Sequence, residues 1–104
     1  MLQLLRIRGN SIAPYLKDGD FAIIRKHHKR MHFTNGEYIV FQQKIYGTLI
    51  KQIHAINAKS KAITVYGSDD FSTDSRLFGE INEDQVIGKV IFRIRSNPIP
   101  RQAR

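Results

Sequence analysis

The apolar residues of this chain alternate with polar ones over short runs, and clusters of turn-forming residues separate the runs. Strict alternation places successive side chains on the two faces of a β-strand. Helical periodicity hardly appears. Short strands at close spacing without a long helix predict a mostly β fold, a small antiparallel sheet that is curled or barrel-like. The predicted strands are Leu2–Arg8, Phe21–Lys26, Glu37–Gln42, Tyr46–Ala55, Ala62–Tyr66 and Val86–Arg95.

The length of 104 residues predicts a single domain, which we place at residues 1–96, followed by a loose basic tail at residues 97–104. The absence of cysteine excludes disulfides, thiolate metal sites and cysteine catalysis. No apolar run approaches the roughly 20 residues that span a bilayer, and the first residues lack the order of a secretory signal. The expected location is therefore cytoplasmic.

The net charge of +8 indicates an anionic partner, which could be nucleic acid, a membrane surface or an acidic polypeptide. The charge is concentrated at residues 25–30 and in the tail from Arg93 onwards. No stacking aromatic residues are interleaved with the first cluster, as a binder of single-stranded nucleic acid requires. We therefore predict a solvated loop there, with His28 and His32 as basic surface, and do not expect nucleic acid as the partner. Association with a membrane surface stays open.

A turn centred on Ser11 is the first candidate for chemistry. Gly9 allows the backbone to turn tightly and Pro14 stiffens the exit, so the segment could present Ser11 as a nucleophile. Glycine, asparagine, serine and proline are also ordinary turn residues, and these residues alone favour a structural turn over a catalytic one.

A lysine on the predicted fourth strand is the second candidate. By the period of two, Lys51 shares a face with Leu49 and Ile53. Desolvation on an apolar face lowers the pKa of a lysine, which is how a lysine becomes a general base near neutral pH. A neutral lysine can activate a serine without histidine or aspartate. The alternative is an edge-strand lysine whose amine reaches water.

The third candidate is the polar segment 67–79, where many residues favour local bonds between side chain and backbone. An ordered loop is expected. Asp74 and Arg76 can pair there, and Ser72 could orient a lysine amine. A plain surface loop is the alternative.

Five segments resemble the signal peptidase I and LexA-type serine peptidases, in the same order along residues 6–95. The segment Gly9–Pro14 with Gly19-Asp20 resembles G-x-S-M-x-P…G-D, and Leu49–Ile53 resembles the strand of the catalytic lysine. The segment Gly67–Gly79 resembles the signal-peptidase box with D-S-R, which LexA-type domains lack. The remaining two are Gly36–Phe41, similar to G-D-I-V-V-F, and Ile87–Val90, similar to I-G-K-V.

This resemblance implies a role for each matching residue. Ser11 is the nucleophile and Lys51 the general base, without a metal or another cofactor. Ser72 orients the lysine, and Asp74 with Arg76 holds that loop. The oxyanion hole uses the backbone N–H of Ser11, with help near Gly9.

The chain departs from the family pattern at three places. Ile12 stands where methionine is usual, Gln52 where arginine is usual, and Ser68-Asp69 where Asp-Asn is usual. We expect the first departure to alter the lining of the pocket. None of the three touches the serine–lysine pair itself.

The resemblance implies a serine endopeptidase that removes a leader or signal peptide from a precursor protein. Without a membrane anchor, the chain is similar in pattern to the soluble peptidases that mature nickel-type superoxide dismutase. Self-cleaving LexA-type regulatory domains and non-enzymatic basic modules that bind nucleic acid are the alternatives. Only ten residues precede Ser11, and neither Ala-Gly nor Cys-Gly occurs in the chain, so cleavage in trans is expected.

Overall fold

The structure, a computed structural model, describes residues 1–66 and 79–95 of the chain. This part contains six β-strands and one 3₁₀ turn at Glu83–Gln85. The predicted mostly β fold is confirmed. None of the described elements is a helix long and apolar enough to cross a membrane. The strands are β1 (Leu2–Arg6), β2 (Phe21–Lys26), β3 (Tyr38–Gln43), β4 (Gly47–Ile56), β5 (Ile63–Tyr66) and β6 (Val86–Ile94).

All six strands belong to one antiparallel sheet in the order β1-β2-β6-β3-β4-β5. Over the described residues the sheet is open, with β1 and β5 at its edges, and does not close into a barrel. It is nevertheless curled. Three strands separate β1 from β4 in the sheet, yet residues 5–8 and 48–50 line the same groove.

The last strand in sequence, β6, lies in the middle of the sheet and joins its two halves. One side of β6 pairs with β2, and the other side pairs with β3, where Val40 is opposite Gly88. Bulges interrupt both pairings, at Ile23/Ile24 and at Val40/Phe41, and bulges of this kind increase the local twist. The connection between β1 and β2 carries Ser11 and β4 carries Lys51, so β6 holds these two halves together.

The core consists of two apolar clusters, and β3 contributes to both. Its residues Ile39, Val40 and Phe41 are all buried, which shows that both faces of this strand are covered. The first cluster contains Ile39, Phe41, Ile53, Ile63, Val65, Ile81 and Val86. The second cluster contains Ile7, Ile12, Leu16, Ala22 and Val90.

The predicted strand limits agree with the structure to within a few residues. The largest difference is at β1, which ends at Arg6 instead of Arg8. The reason is that Ile7 pairs with the loop that follows: its N–H donates to Asp20 O and its carbonyl accepts from Gly19 N, both at 2.8 Å. Most of the polar segment 67–79 and the tail 97–104 lie outside the described residues.

Candidate active site

Ser11 is half-buried in a run of tight turns between β1 and β2. The Ala13 N–H donates to Asn10 O at 3.1 Å, and the Tyr15 N–H donates to Ile12 O at 3.0 Å. The peptide bond between Ala13 and Pro14 is cis. Backbone hydrogen bonds on both sides of Ser11 therefore fix the path of the turn that carries it.

Two aspartates after the turn hold it in place. Asp18 Oδ1 accepts from the Gly9 N–H at 2.7 Å, and the Asp18 N–H donates to Asn10 Oδ1 at 3.0 Å. Asp20, which is only 6% exposed, accepts from the Lys17 N–H at 2.9 Å through Oδ2. The positioning roles of Asn10 and Asp18 were not predicted. Their signal is that Asn and Asp beside a turn commonly bond to nearby backbone N–H groups.

Gly9 supports the site through its backbone. Its φ of 80° lies in the left-handed region that L-residues with a side chain disfavour. Because its N–H already donates to Asp18, Gly9 shapes the turn and anchors it to the segment that leads into β2.

Lys51 is buried, with 2% of its surface exposed. It lies on β4, a strand between β3 and β5, and is directly opposite Ile39 of β3. Leu49 and Ile53 share its face of the strand and contribute to the first cluster. The alternative of an edge-strand lysine with its amine in water is therefore wrong.

The segments that carry Ser11 and Lys51 meet in the second cluster. Ile12, the residue after Ser11, is 2% exposed and belongs to that cluster, and Ile50, the residue before Lys51, packs against it. Ile12 and Ile50, the sequence neighbours of Ser11 and Lys51, are thus held in one region of the fold.

A groove of about 250 Å³ runs between the two segments just before each candidate residue. Residues 5–8 form one wall and lead into Gly9, Asn10 and Ser11. Residues 48–50, with Val40 behind them, form the other wall and lead directly into Lys51. A polypeptide in this groove would contact the residues that precede Ser11 and Lys51 in sequence.

A stack of three side chains ties the Ser11 turn to the sheet. The rings of Tyr15 and Tyr38 are stacked, with centroids 3.6 Å apart and planes at 4°. The Arg93 guanidinium lies 4.3 Å from the centre of the Tyr15 ring, and its Nη1 donates to Tyr15 O at 3.1 Å. This stack, which was not predicted, links the turn to β3 and to β6.

Burial raises the pKa of both tyrosines above the usual 10.0, and the nearby positive charge of Arg93 opposes the shift. A group with a raised native pKa contributes stability that is complete below the unfolded pKa and is lost as pH rises through the native pKa. The Tyr38→Phe variant should therefore lose less stability than wild type as pH rises above 10. Urea unfolding at pH 9, 10 and 11 measures the difference, and parallel curves for the two proteins would contradict it.

Two of the departures from the family pattern have a structural explanation. Ile12 fills a buried position in the second cluster. Gln52 Nε2 donates to Gly36 O at 3.0 Å and so ties β4 to the turn before β3. Ser72, Asp74 and Arg76, together with the departure at Ser68-Asp69, lie outside the described residues.

No protein-family model matches the chain, and no curated protein matches it. Among residues 1–66 and 79–95, no group of three His, Asp or Glu side chains is arranged to hold a metal ion.

Proposed function

We propose that this protein is a serine endopeptidase that uses a Ser11–Lys51 dyad to remove a leader peptide from a precursor protein in trans. The observation that carries the proposal is the burial of Lys51 on an interior strand, where the preceding residue, Ile50, packs against the cluster that contains Ile12. Lysine side chains are seldom fully buried in folded proteins. A buried ionisable side chain on a strand that lines a cleft is a candidate catalytic group.

In the proposed reaction, neutral Lys51 accepts the proton of the Ser11 hydroxyl as Oγ attacks the scissile carbonyl carbon. The resulting ammonium then donates that proton to the leaving amine, and the C–N bond breaks to give an acyl-enzyme ester. Water attacks the ester and Lys51 accepts its proton. Ser11 regains the proton as the ester bond breaks and the carboxylate product leaves.

The groove supplies the binding mode for such a substrate. Its two walls are extended segments, and β1 is an edge strand with backbone groups that are not used by a second neighbouring strand of the described sheet. An extended peptide added beside β1 gains main-chain hydrogen bonds by β-augmentation. In the proposed complex, the scissile peptide bond lies at the end of the groove from which the chain continues to Ser11 on one wall and to Lys51 on the other.

The direct test is to mix the purified protein with candidate precursors and read new N-termini by mass spectrometry. Following the resemblance, the precursors are a nickel superoxide dismutase precursor and a generic signal-peptide substrate. Cleavage by wild type, and its absence with Ser11→Ala, is the expected result. The rate should rise with pH, because only the neutral lysine accepts a proton.

Two results would contradict the proposal. Specific shortening of the chain itself during incubation, seen by intact mass, favours a self-cleaving domain. Absence of proteolysis, combined with salt-dependent binding of bulk DNA that survives Ser11→Ala and Lys51→Ala, favours a non-enzymatic basic module. If only the signal-peptide substrate is cleaved, the peptidase stands and the nickel-enzyme precursor is not its substrate.

A further inference from the structure

A second groove, which we call the basic groove, lies at the far end of β4 from Ser11 and has a volume of about 520 Å³. Its floor is apolar and its rim is basic. The floor is formed by Met31, Phe33, Ile56 and Ile63, and the rim by Lys29, Arg30, His32 and Lys61 with Glu83.

The loop after β2 builds one side of the basic groove, and two of its side chains point inwards. Met31 is buried, and Phe33 packs against the first cluster and stacks on the His27 ring at 5.8 Å. The sequence predicted a solvated loop here. That prediction is correct for exposed Lys29 and Arg30, but the buried Met31 anchors the loop and so fixes the direction of these cations.

The positive charge on the rim is not neutralised by the described residues. Within that part of the chain, no carboxylate forms an ion pair with Lys29, Arg30 or Lys61. Glu83 on the groove wall lies 3.8 Å from His27 Nε2, and Asp84 lines the adjoining cavity with Lys29 and Lys61. Three cations, Lys29, Arg30 and Lys61, outnumber these two carboxylates, so the rim has a net positive charge beside an apolar floor.

Lys61 occupies its place on the rim at a conformational cost. Its φ of 65° makes it the one non-glycine residue with positive φ among residues 1–66 and 79–95. The turn that imposes this φ is held by Asn57, which accepts from the N–H groups of Lys59 and Ser60 through Oδ1 and from the Lys61 N–H through its carbonyl, each at 2.9 Å. A lysine at a position that suits glycine indicates a use for the side chain.

We propose that the basic groove binds an acidic segment of a polypeptide, with carboxylates on the rim and one apolar side chain on the floor. Charge complementarity selects the acidic class of ligand. An apolar floor adds nothing to the binding of phosphates, which makes nucleic acid the poorer fit. A membrane surface is approached by protruding apolar groups, whereas this apolar surface is concave.

The position of the basic groove relates it to the peptide groove beside Ser11. Ile50 lines one groove and Ile56 lines the other, on the same strand. At about 3.3 Å per residue, they are roughly 20 Å apart. Because Ile50 packs against the second cluster and Ile56 against the first, a substrate that reaches both sites must pass from one face of β4 to the other. The assignment of the acidic segment to the substrate rests on the proposed peptidase function, whereas the binding of an acidic peptide does not.

The test uses a fluorescein-labelled peptide of four Asp-Leu repeats, titrated with protein that carries Ser11→Ala so that no cleavage can occur. Fluorescence anisotropy measures its Kd. Lys61→Gly and Lys29→Glu should each weaken binding about fivefold or more. The matched changes Lys44→Gly and Lys44→Glu, in the exposed β3–β4 turn, alter the net charge equally and should change the Kd less than twofold.

Lys61→Gly also separates binding from folding. Glycine adopts the positive φ without steric cost, so the thermal unfolding midpoint should be retained or higher while the peptide binds more weakly. Equal weakening by the Lys44 variants, or no binding of the peptide, would overturn the proposal. The proposal would also be overturned if the groove substitutions weakened the binding of phosphatidylserine vesicles or duplex DNA but left the binding of the peptide unchanged. If the peptide binds but no proteolysis is detected, the basic groove is still a binding site for acidic peptides, and the proposed peptidase function is wrong.

Discussion

Replacing Ser11 by alanine or Lys51 by methionine should lower the rate of precursor cleavage by about 10⁴-fold or more. Without the Ser11 hydroxyl there is no nucleophile, and without the Lys51 amine nothing accepts its proton. Rates are measured by the appearance of the new N-terminus at saturating enzyme. The double variant should be no slower than either single variant, because the two residues act as a unit.

Methionine is the informative replacement at position 51. It keeps an unbranched apolar side chain on the face shared with Leu49 and Ile53, and it removes the amine. The free energy of unfolding should stay within about 1.5 kcal/mol of wild type, because the two side chains are similar in volume. Lys59→Met is the matched control on an exposed turn, and it should retain cleavage. Near-normal cleavage by Lys51→Met would show that Lys51 is not the general base.

The strands could be predicted from the sequence because alternation and turn residues are local signals. The Asn57 turn and β5 are examples, since the asparagine forms the turn and the apolar residues Ile63 and Val65 follow at a spacing of two. Ser11 and Lys51 could be singled out as candidates for the same reason. The burial of Lys51 could not be derived locally, since it depends on β4 lying between β3 and β5.

Local sequence patterns do not predict contacts between residues that are far apart in sequence. Arg93 reaches Tyr15 across a separation of 78 residues, and β6 inserts between β2 and β3. The basic groove combines the loop after β2, the β4–β5 turn and the 3₁₀ turn. Each of these features follows from the order of strands in the sheet. The same alternation within a strand is compatible with many strand orders, so it does not predict which one forms.

The most sensitive position outside the dyad is expected to be Gly88, the third residue of β6. A Cβ at this residue would lie 2.6 Å from Ile24 Cγ2 and would overlap the backbone oxygen of Arg25. A backbone oxygen within a paired strand cannot rotate away as a side chain can. We expect Gly88→Ala to lower the free energy of unfolding by about 3 kcal/mol, as overpacked interiors do.

Gly47 in the β3–β4 turn is the matched control for Gly88. Its added Cβ meets no atom within 4 Å, so Gly47→Ala carries only the cost of a φ of 80°, about 1 kcal/mol. Chemical denaturation of the two variants measures both losses. An equal loss for the two variants would contradict the steric argument at Gly88.

The effect of Gly88→Ala should also extend to catalysis. Val40 of β3 is opposite Gly88 on one side of β6, and Lys26 of β2 is opposite it on the other. Displacing β2 from β6 moves the half of the sheet that carries Ser11 relative to the half that carries Lys51. At a temperature where both glycine variants are folded, cleavage should therefore fall at least tenfold in Gly88→Ala and stay near wild type in Gly47→Ala. Wild-type cleavage by a folded Gly88→Ala protein would show that the spacing of the two halves is set elsewhere.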